Sequence, residues 1–164
     1  MKSGLDVIDL GCRTGEHSIL FASRGHRVLG VDSAPLAIEK ARAKARARGS
    51  AAQFMVGDAT DLSSLDRTFD LAIDSGLFHV FPDWERDAYV RSISSLLRPG
   101  GRYFMLCFSD READWGGPRR IRKEEVTQAF SSGWKVNSIQ PSRFDSSEPG
   151  SGAEAWFCSI TKAA

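Results

Sequence analysis

The chain has 164 residues, a length that suits one domain able to bury roughly 70% of its unfolded surface. It is 41% hydrophobic and 26% charged, with a formal net charge of +1. That balance excludes a disordered or collagen-like chain and argues against nucleic acid or an anionic membrane as a dedicated partner.

In chain order, residues 5–9 form an apolar run that stops at a glycine loop. A helix is expected over 14–23, closed by Gly25, and a second strand over 26–31. Pro35 sits where a first-turn proline belongs, so a helix runs from 35 to 48 and stops at Gly49. Its basic run, KARAKARAR at 40–48, alternates with alanine and reads as a solvated helix face. Strands follow at 52–56 and 69–74. A helix over 84–97 ends at Pro99, Gly100 and Gly101, before a strand over 102–108. The alternation predicts an α/β fold, a Rossmann-like doubly wound sheet, mostly parallel, with helices on both faces. After Ser109 the texture changes. Residues 110–120 are rich in Gly, Pro and charge, and a helix is expected over 123–131. Two alternating runs, 135–141 and 154–161, flank turn chemistry at 146–152 and predict a C-terminal antiparallel hairpin. No repeat or second domain is visible.

Cys12, Cys107 and Cys158 make an odd number without a CxxC pair, which fits a reducing cytoplasm. Cys12, His17, His26 and His79 lack metal-ligand spacing, so no metal is expected. No apolar run reaches the ~20 residues of a membrane span, and no export signal is seen.

The first strand-to-helix turn carries DLGCRTG at 9–15. In open α/β sheets ligands bind at such turns, beyond the carboxyl ends of the strands. A dinucleotide fingerprint counted from Gly11 fails twice, because Arg13 and Glu16 stand where glycines are required. A Walker phosphate loop fails for want of GK[ST]. The third reading rests on acidic residues. Asp9, Asp32, Asp58 and Asp74 all fall at or just after strand ends. Such an edge repels a pyrophosphate and attracts a ligand with fixed positive charge and a ribose diol, as S-adenosylmethionine has. For any one of these aspartates a helix cap or turn role competes.

The chain resembles class I S-adenosylmethionine-dependent methyltransferases over nearly its whole length. The matching segments are VIDLGCRTG (7–15), LGVD (29–32), VGDA (56–59), FDLAID (69–74) and LRPGG (97–101). Within the family, SGLFHVF (75–81) and GRYFMLCFSD (101–110) look like small bacterial thiopurine-, thiol- or quinone-type methyltransferases. The resemblance implies S-adenosylmethionine as cofactor. Asp9, Gly11, Cys12, Arg13 and Gly15 would cradle its methionine portion, with Asp74 and Ser75 close by. Asp32 would take the ribose hydroxyls beside Ser33, and Asp58 with the Ala59 backbone would take the adenine. Arg13 departs from the family loop. If that position needs a positive φ it costs about 1–2 kcal/mol, and its guanidinium could offset part of this by pairing with the cofactor's carboxylate.

Methyl transfer to a small acceptor of phenol, quinol or thiol type is the expected activity. His79, past the fourth strand, is the candidate general base, with a packing histidine as the competing role. Phe78, Phe81, Phe108 and Trp115 are candidate walls of an acceptor pocket, and Asp110 and Arg111 could orient the acceptor. Related methyltransferases carry helices before the first strand. Only four residues precede it here, so a single domain without the usual lid helices is expected, with an open cleft and slow or absent turnover unless a second copy covers it as a homodimer. The rival reading is a cofactor-binding but catalytically silent regulatory or partner domain; a nicotinamide oxidoreductase ranks third.

Overall fold

The central apolar runs become strands because they are buried on both sides, as strands of a parallel sheet are; residues 6–10 are buried throughout. The computed structural model describes residues 4–145 and 152–164. Its parallel strands are β1 (Asp6–Leu10), β2 (Arg27–Asp32), β3 (Gln53–Val56), β4 (Phe69–Ser75) and β5 (Leu97–Phe108). The intervening elements are α1 (Glu16–Ser23), α2 (Pro35–Ala47), a 3-10 turn (Phe78–Val80) and α3 (Asp83–Leu96). After β5 come α4 (Lys123–Ala129), β6 (Trp134–Phe144) and β7 (Ala153–Lys162).

The seven strands lie in the order β3-β2-β1-β4-β5-β7-β6. Strand β7 enters antiparallel between β5 and β6, so the expected hairpin closes one edge. Of its expected turn at 146–152, residues 146–151 lie outside the described residues. The order reverses between β1 and β4, which opens a crevice beyond their carboxyl ends. Alternate residues build the two layers. Ile8, Leu10, Leu29 and Val31 share one core with Tyr89, Ile93 and Leu96 of α3. Val7, Val28 and Leu71 face the other side, where Phe21 and Ala22 of α1 pack against them.

Of the boundaries that differ from expectation, two have a clear physical reason. Strand β5 begins at Leu97 rather than at 102. Leu97 pairs with Phe69 and Arg102 with Leu71, so residues 98–101 bulge opposite Asp70 instead of ending the strand. The bulge aims Arg98 at Asp70 and, at 3.0 Å, at Asp6. Helix α1 begins at Glu16 rather than at 14, because Gly15 at φ 81° is its N-cap and holds the chain in a left-handed turn. The Phe54 ring lies over this turn. A Cβ at Gly15 would come within 2.6 Å of it, and one at Gly30 within 2.7 Å.

Candidate active site

Two adjoining cavities occupy the crevice at the carboxyl ends of the strands. The larger is an open-mouthed cleft of about 500 Å³ between the glycine loop, the turn after β4, the end of β5 and the residues flanking the β6–β7 connection. The smaller, of about 190 Å³, is lined by Asp32, Ser33, Asp58 and Ala59, with Leu77 and Phe81 opposite. Gly11 borders both.

The glycine loop turns over the end of β1 because the Gly11 and Cys12 N–H groups both donate to the Val31 carbonyl, at 2.8 and 3.0 Å. Gly11 has φ 68°, and a Cβ there would meet the Leu77 side chain at 3.2 Å. Arg13 adopts φ 51°, the left-handed conformation that glycine adopts without strain. Its N–H donates to Asp32 Oδ2 at 2.8 Å, and the Ala34 N–H donates to Oδ1 at 2.9 Å. Asp32 thus has both oxygens oriented by backbone, with lone pairs left for two hydroxyls. Asp58 spends Oδ1 on the Thr60 N–H and hydroxyl, and these bonds hold its carboxyl below the usual range.

Asp9 is the penultimate residue of β1, under the loop. Its Oδ2 accepts the Ser18 hydroxyl at 2.6 Å, and burial raises its carboxyl pKa. A bound cation would stabilise its charged form. The N-terminus of α1 has no side-chain cap, so its first N–H groups border the cleft with Gly15 and Glu16. Cys12 lines the cleft as a neutral thiol, pushed up to about 12 by burial and the nearby Asp9 and Asp32.

Asp74 stands apart from the other strand-end carboxylates. Its side chain points into the core and accepts four hydrogen bonds, from the Leu77 and Phe78 N–H groups and the Tyr89 and Tyr103 hydroxyls. It therefore holds the turn after β4, while its neighbours Ser75 and Gly76 line the cleft. One step along a strand reverses the side-chain direction.

His79 is buried at the cleft wall. Its Nδ1 accepts the Phe108 N–H at 2.9 Å, and its ring stacks on Phe108 with centroids 4.4 Å apart. Burial, helped by Arg13 and Arg120, lowers its pKa to about 4. The neutral ring with Nδ1 engaged carries its proton on Nε2. The general-base role expected for His79 does not fit this arrangement: Nε2 is a donor, and the lone pair on Nδ1 is taken.

Of the expected acceptor-side residues, Phe108 and Trp115 line the cleft, their rings meeting edge-on at 5.8 Å. Phe81 lines the smaller cavity. Three others lie elsewhere. Phe78 is fully buried under α3, packed against Tyr89 and Phe130. Asp110 is exposed, with its N–H bonded to the Ile121 carbonyl. Arg111 turns away toward Glu154 and the Trp156 ring. The sequence reading missed Gly76 and Phe144. Phe144 packs edge-on against Phe108 at 5.0 Å and walls the cleft from the end of β6, beyond the strand limit that alternation suggested. Among the described residues, no three His, Cys, Asp or Glu side chains are grouped to hold a metal, and no helix is long and apolar enough to cross a membrane.

An edge with oriented carboxylates at one end and an aromatic cleft at the other suits a cationic, diol-bearing cofactor beside a small molecule. Residues 7–101 match the model of a family described as a methyltransferase domain. The chain is 37% identical over 142 residues to the 2-heptyl-1-hydroxyquinolin-4(1H)-one methyltransferase of Mycobacteroides abscessus; the match covers 84% of this chain and 62% of that protein's length. A solved structure titled for the conversion of a disulfide bond into a thioacetal group during echinomycin biosynthesis superposes with TM-score 0.86 at 32% identity, covering 96% of this chain and 75% of that one. An S-adenosylmethionine-dependent methyltransferase of Methanosarcina mazei shares the fold at TM-score 0.84 and 18% identity, over 99% and 94% of the two chains. On the family match and the relatedness to the mycobacterial enzyme, the chain belongs to the class I methyltransferases, whose cofactor is S-adenosylmethionine.

Proposed function

We propose that this chain transfers a methyl group from S-adenosylmethionine to a heteroatom of a small, flat acceptor of phenol, quinol, N-hydroxy or thiol type. The observation that carries the reading is the pairing, across Gly11, of a carboxylate-lined cavity with an aromatic-walled cleft on one sheet edge. Relatedness to a methyltransferase named for a hydroxyquinolone supports an aromatic acceptor.

The residues present fit the cofactor. Asp32, with both oxygens fixed by backbone donors, accepts from the ribose hydroxyls beside Ser33. Asp58 and the Ala59 backbone hold the adenine in the smaller cavity. Asp9 faces the ammonium, while the uncapped α1 N-terminus and the Arg13 guanidinium face the carboxylate. Gly11, Cys12, Gly15 and Ser75 form the floor by close backbone approach. When bound, the cofactor supplies a methyl group already activated on a sulfonium.

The chain's own contribution is alignment. Holding two reactants in line can supply up to about 7–11 kcal/mol of a barrier. Phe108, Trp115 and Phe144 bound the acceptor plane, and His79 Nε2–H donates to the acceptor's oxygen or sulfur and fixes its position. A donor at that atom stabilises an ionised acceptor, so acidic acceptors react best. A product screen with labelled S-adenosylmethionine over phenols, quinols, N-hydroxy heterocycles and thiols tests the reading. Calorimetric binding of S-adenosylhomocysteine without methyl transfer to any of them would overturn the catalytic assignment, and tighter binding of NAD would overturn the cofactor assignment.

A further inference from the structure

Residues 110–120 leave the sheet at Ser109 and return at Ile121, where the Ile121 N–H donates to the Phe108 carbonyl at 2.9 Å and closes the loop's neck. Arg120 stands in that neck. Its Nη2 donates to the Ala113 carbonyl at 2.6 Å, and its Nη1 to the Gly116 carbonyl at 3.1 Å and to the Pro118 carbonyl. One guanidinium therefore gathers three carbonyls of its own loop, a geometry that suits the rigid fork of arginine and not the point charge of lysine. The same group lies 4.5 Å from the Trp115 ring centroid and 5.6 Å from that of Phe108. The indole is held at its other contacts too. Its N–H donates to Glu112 at 2.6 Å, and a Cβ on Gly117 would touch the ring at 2.8 Å. Trp115 is nevertheless 57% exposed and forms a wall of the cleft. An exposed indole in a Gly- and Pro-rich loop keeps one orientation only if something organises the loop around it.

We propose that Arg120 is a positioning residue that sets acceptor specificity: by clamping the 110–120 loop it holds Trp115 as a fixed wall, so the cleft favours a flat aromatic acceptor over a small aliphatic thiol. The inference rests on the proposed methyltransferase reading and deepens it. A preformed wall loses no side-chain freedom on binding, and a flat ring stacked against it gains contact that a small thiol cannot reach.

The test uses the chain as it exists, with Arg120→Met as the variant and Arg111→Met as a control that removes the same charge from the same loop without touching the fork. Calorimetry in saturating S-adenosylhomocysteine reads the binding of 1-hydroxyquinolin-4-one and of 2-mercaptoethanol, and chymotrypsin cleavage after Trp115 reads the loop without any ligand. Arg120→Met should weaken the flat acceptor at least tenfold, leave S-adenosylhomocysteine and the thiol within twofold, and speed cleavage at least fivefold. Arg111→Met should change none of these by more than twofold. Flat-acceptor affinity within twofold of the parent, or equal losses for both acceptors, would overturn the proposal. So would a parent chain that binds S-adenosylhomocysteine but no flat acceptor. A parent that binds neither refutes the cofactor reading instead, and the cleavage comparison then still decides whether Arg120 clamps the loop.

Discussion

Asp74 offers the sharpest test of how the core supports the cleft. Its carboxylate is fully enclosed and accepts from Leu77 N–H at 2.7 Å, Phe78 N–H at 3.0 Å, the Tyr89 hydroxyl at 2.8 Å and the Tyr103 hydroxyl at 2.9 Å. Truncation to alanine strands these donors. The two hydroxyls, 3.3 Å apart, can satisfy one of them between themselves. Three remain, each costing about 1–3 kcal/mol when buried without a partner, so Asp74→Ala should lose about 3–9 kcal/mol. Asp74→Asn keeps the shape and one acceptor oxygen but sets an amide N–H₂ against at least one donor, for a loss of about 1–3 kcal/mol. The pH dependence separates charge from shape. Burial raises the carboxyl from 3.8 to about 6 in the folded protein. Because the folded state holds the proton more tightly, this group's contribution is full below about pH 4 and is lost as pH rises through about 6. The interval corresponds to about 3 kcal/mol. Urea denaturation followed by circular dichroism at pH 4, 5, 6 and 7 should therefore show the stability of the parent falling toward that of Asp74→Asn as pH rises. A difference between the two that stays constant over this range would refute the claim that burial dominates at this carboxylate.

Three further outcomes are expected. Asp32→Ala should weaken S-adenosylmethionine and S-adenosylhomocysteine equally, by about 1.5–3 kcal/mol, since both carry the same ribose; unequal losses in calorimetry would remove Asp32 from the diol. Because His79 is lowered to about 4, kcat/KM should show no ionisation of His79 near pH 6.5. His79→Gln should retain more activity than His79→Ala on acidic acceptors, and a pH break near 6.5 that disappears in both variants would restore the base role. Arg13→Gly releases left-handed strain of about 1–2 kcal/mol but adds unfolded-chain freedom of about 0.4–1 kcal/mol. It should therefore leave urea stability equal to or slightly above the parent's, and weaken cofactor binding roughly tenfold if the guanidinium meets the carboxylate; unchanged affinity would free Arg13 of that task.

The succession of strands and helices along the chain, the glycine loop and the carboxylates at the ends of β1 and β2 were legible in the sequence because each depends on local pattern. Apolar runs bounded by glycine read directly as buried strands, and Asp9 and Asp32 follow such runs immediately. What the residues do beyond their element was decided by tertiary contacts. Asp74 and Ser75 are adjacent in the chain, yet one faces the core and the other the cleft, because direction alternates at every step and Tyr89 and Tyr103 claim the carboxylate from 15 and 29 residues away. The donor state of His79 comes from the Phe108 backbone, 29 residues on, and no spacing rule predicts that bond. Phe144 reaches the cleft only because β7 inserts between β5 and β6. Local periodicity thus determined which segments meet at the crevice, and long-range hydrogen bonds and ring packing decided which side chains face it and in what protonation state.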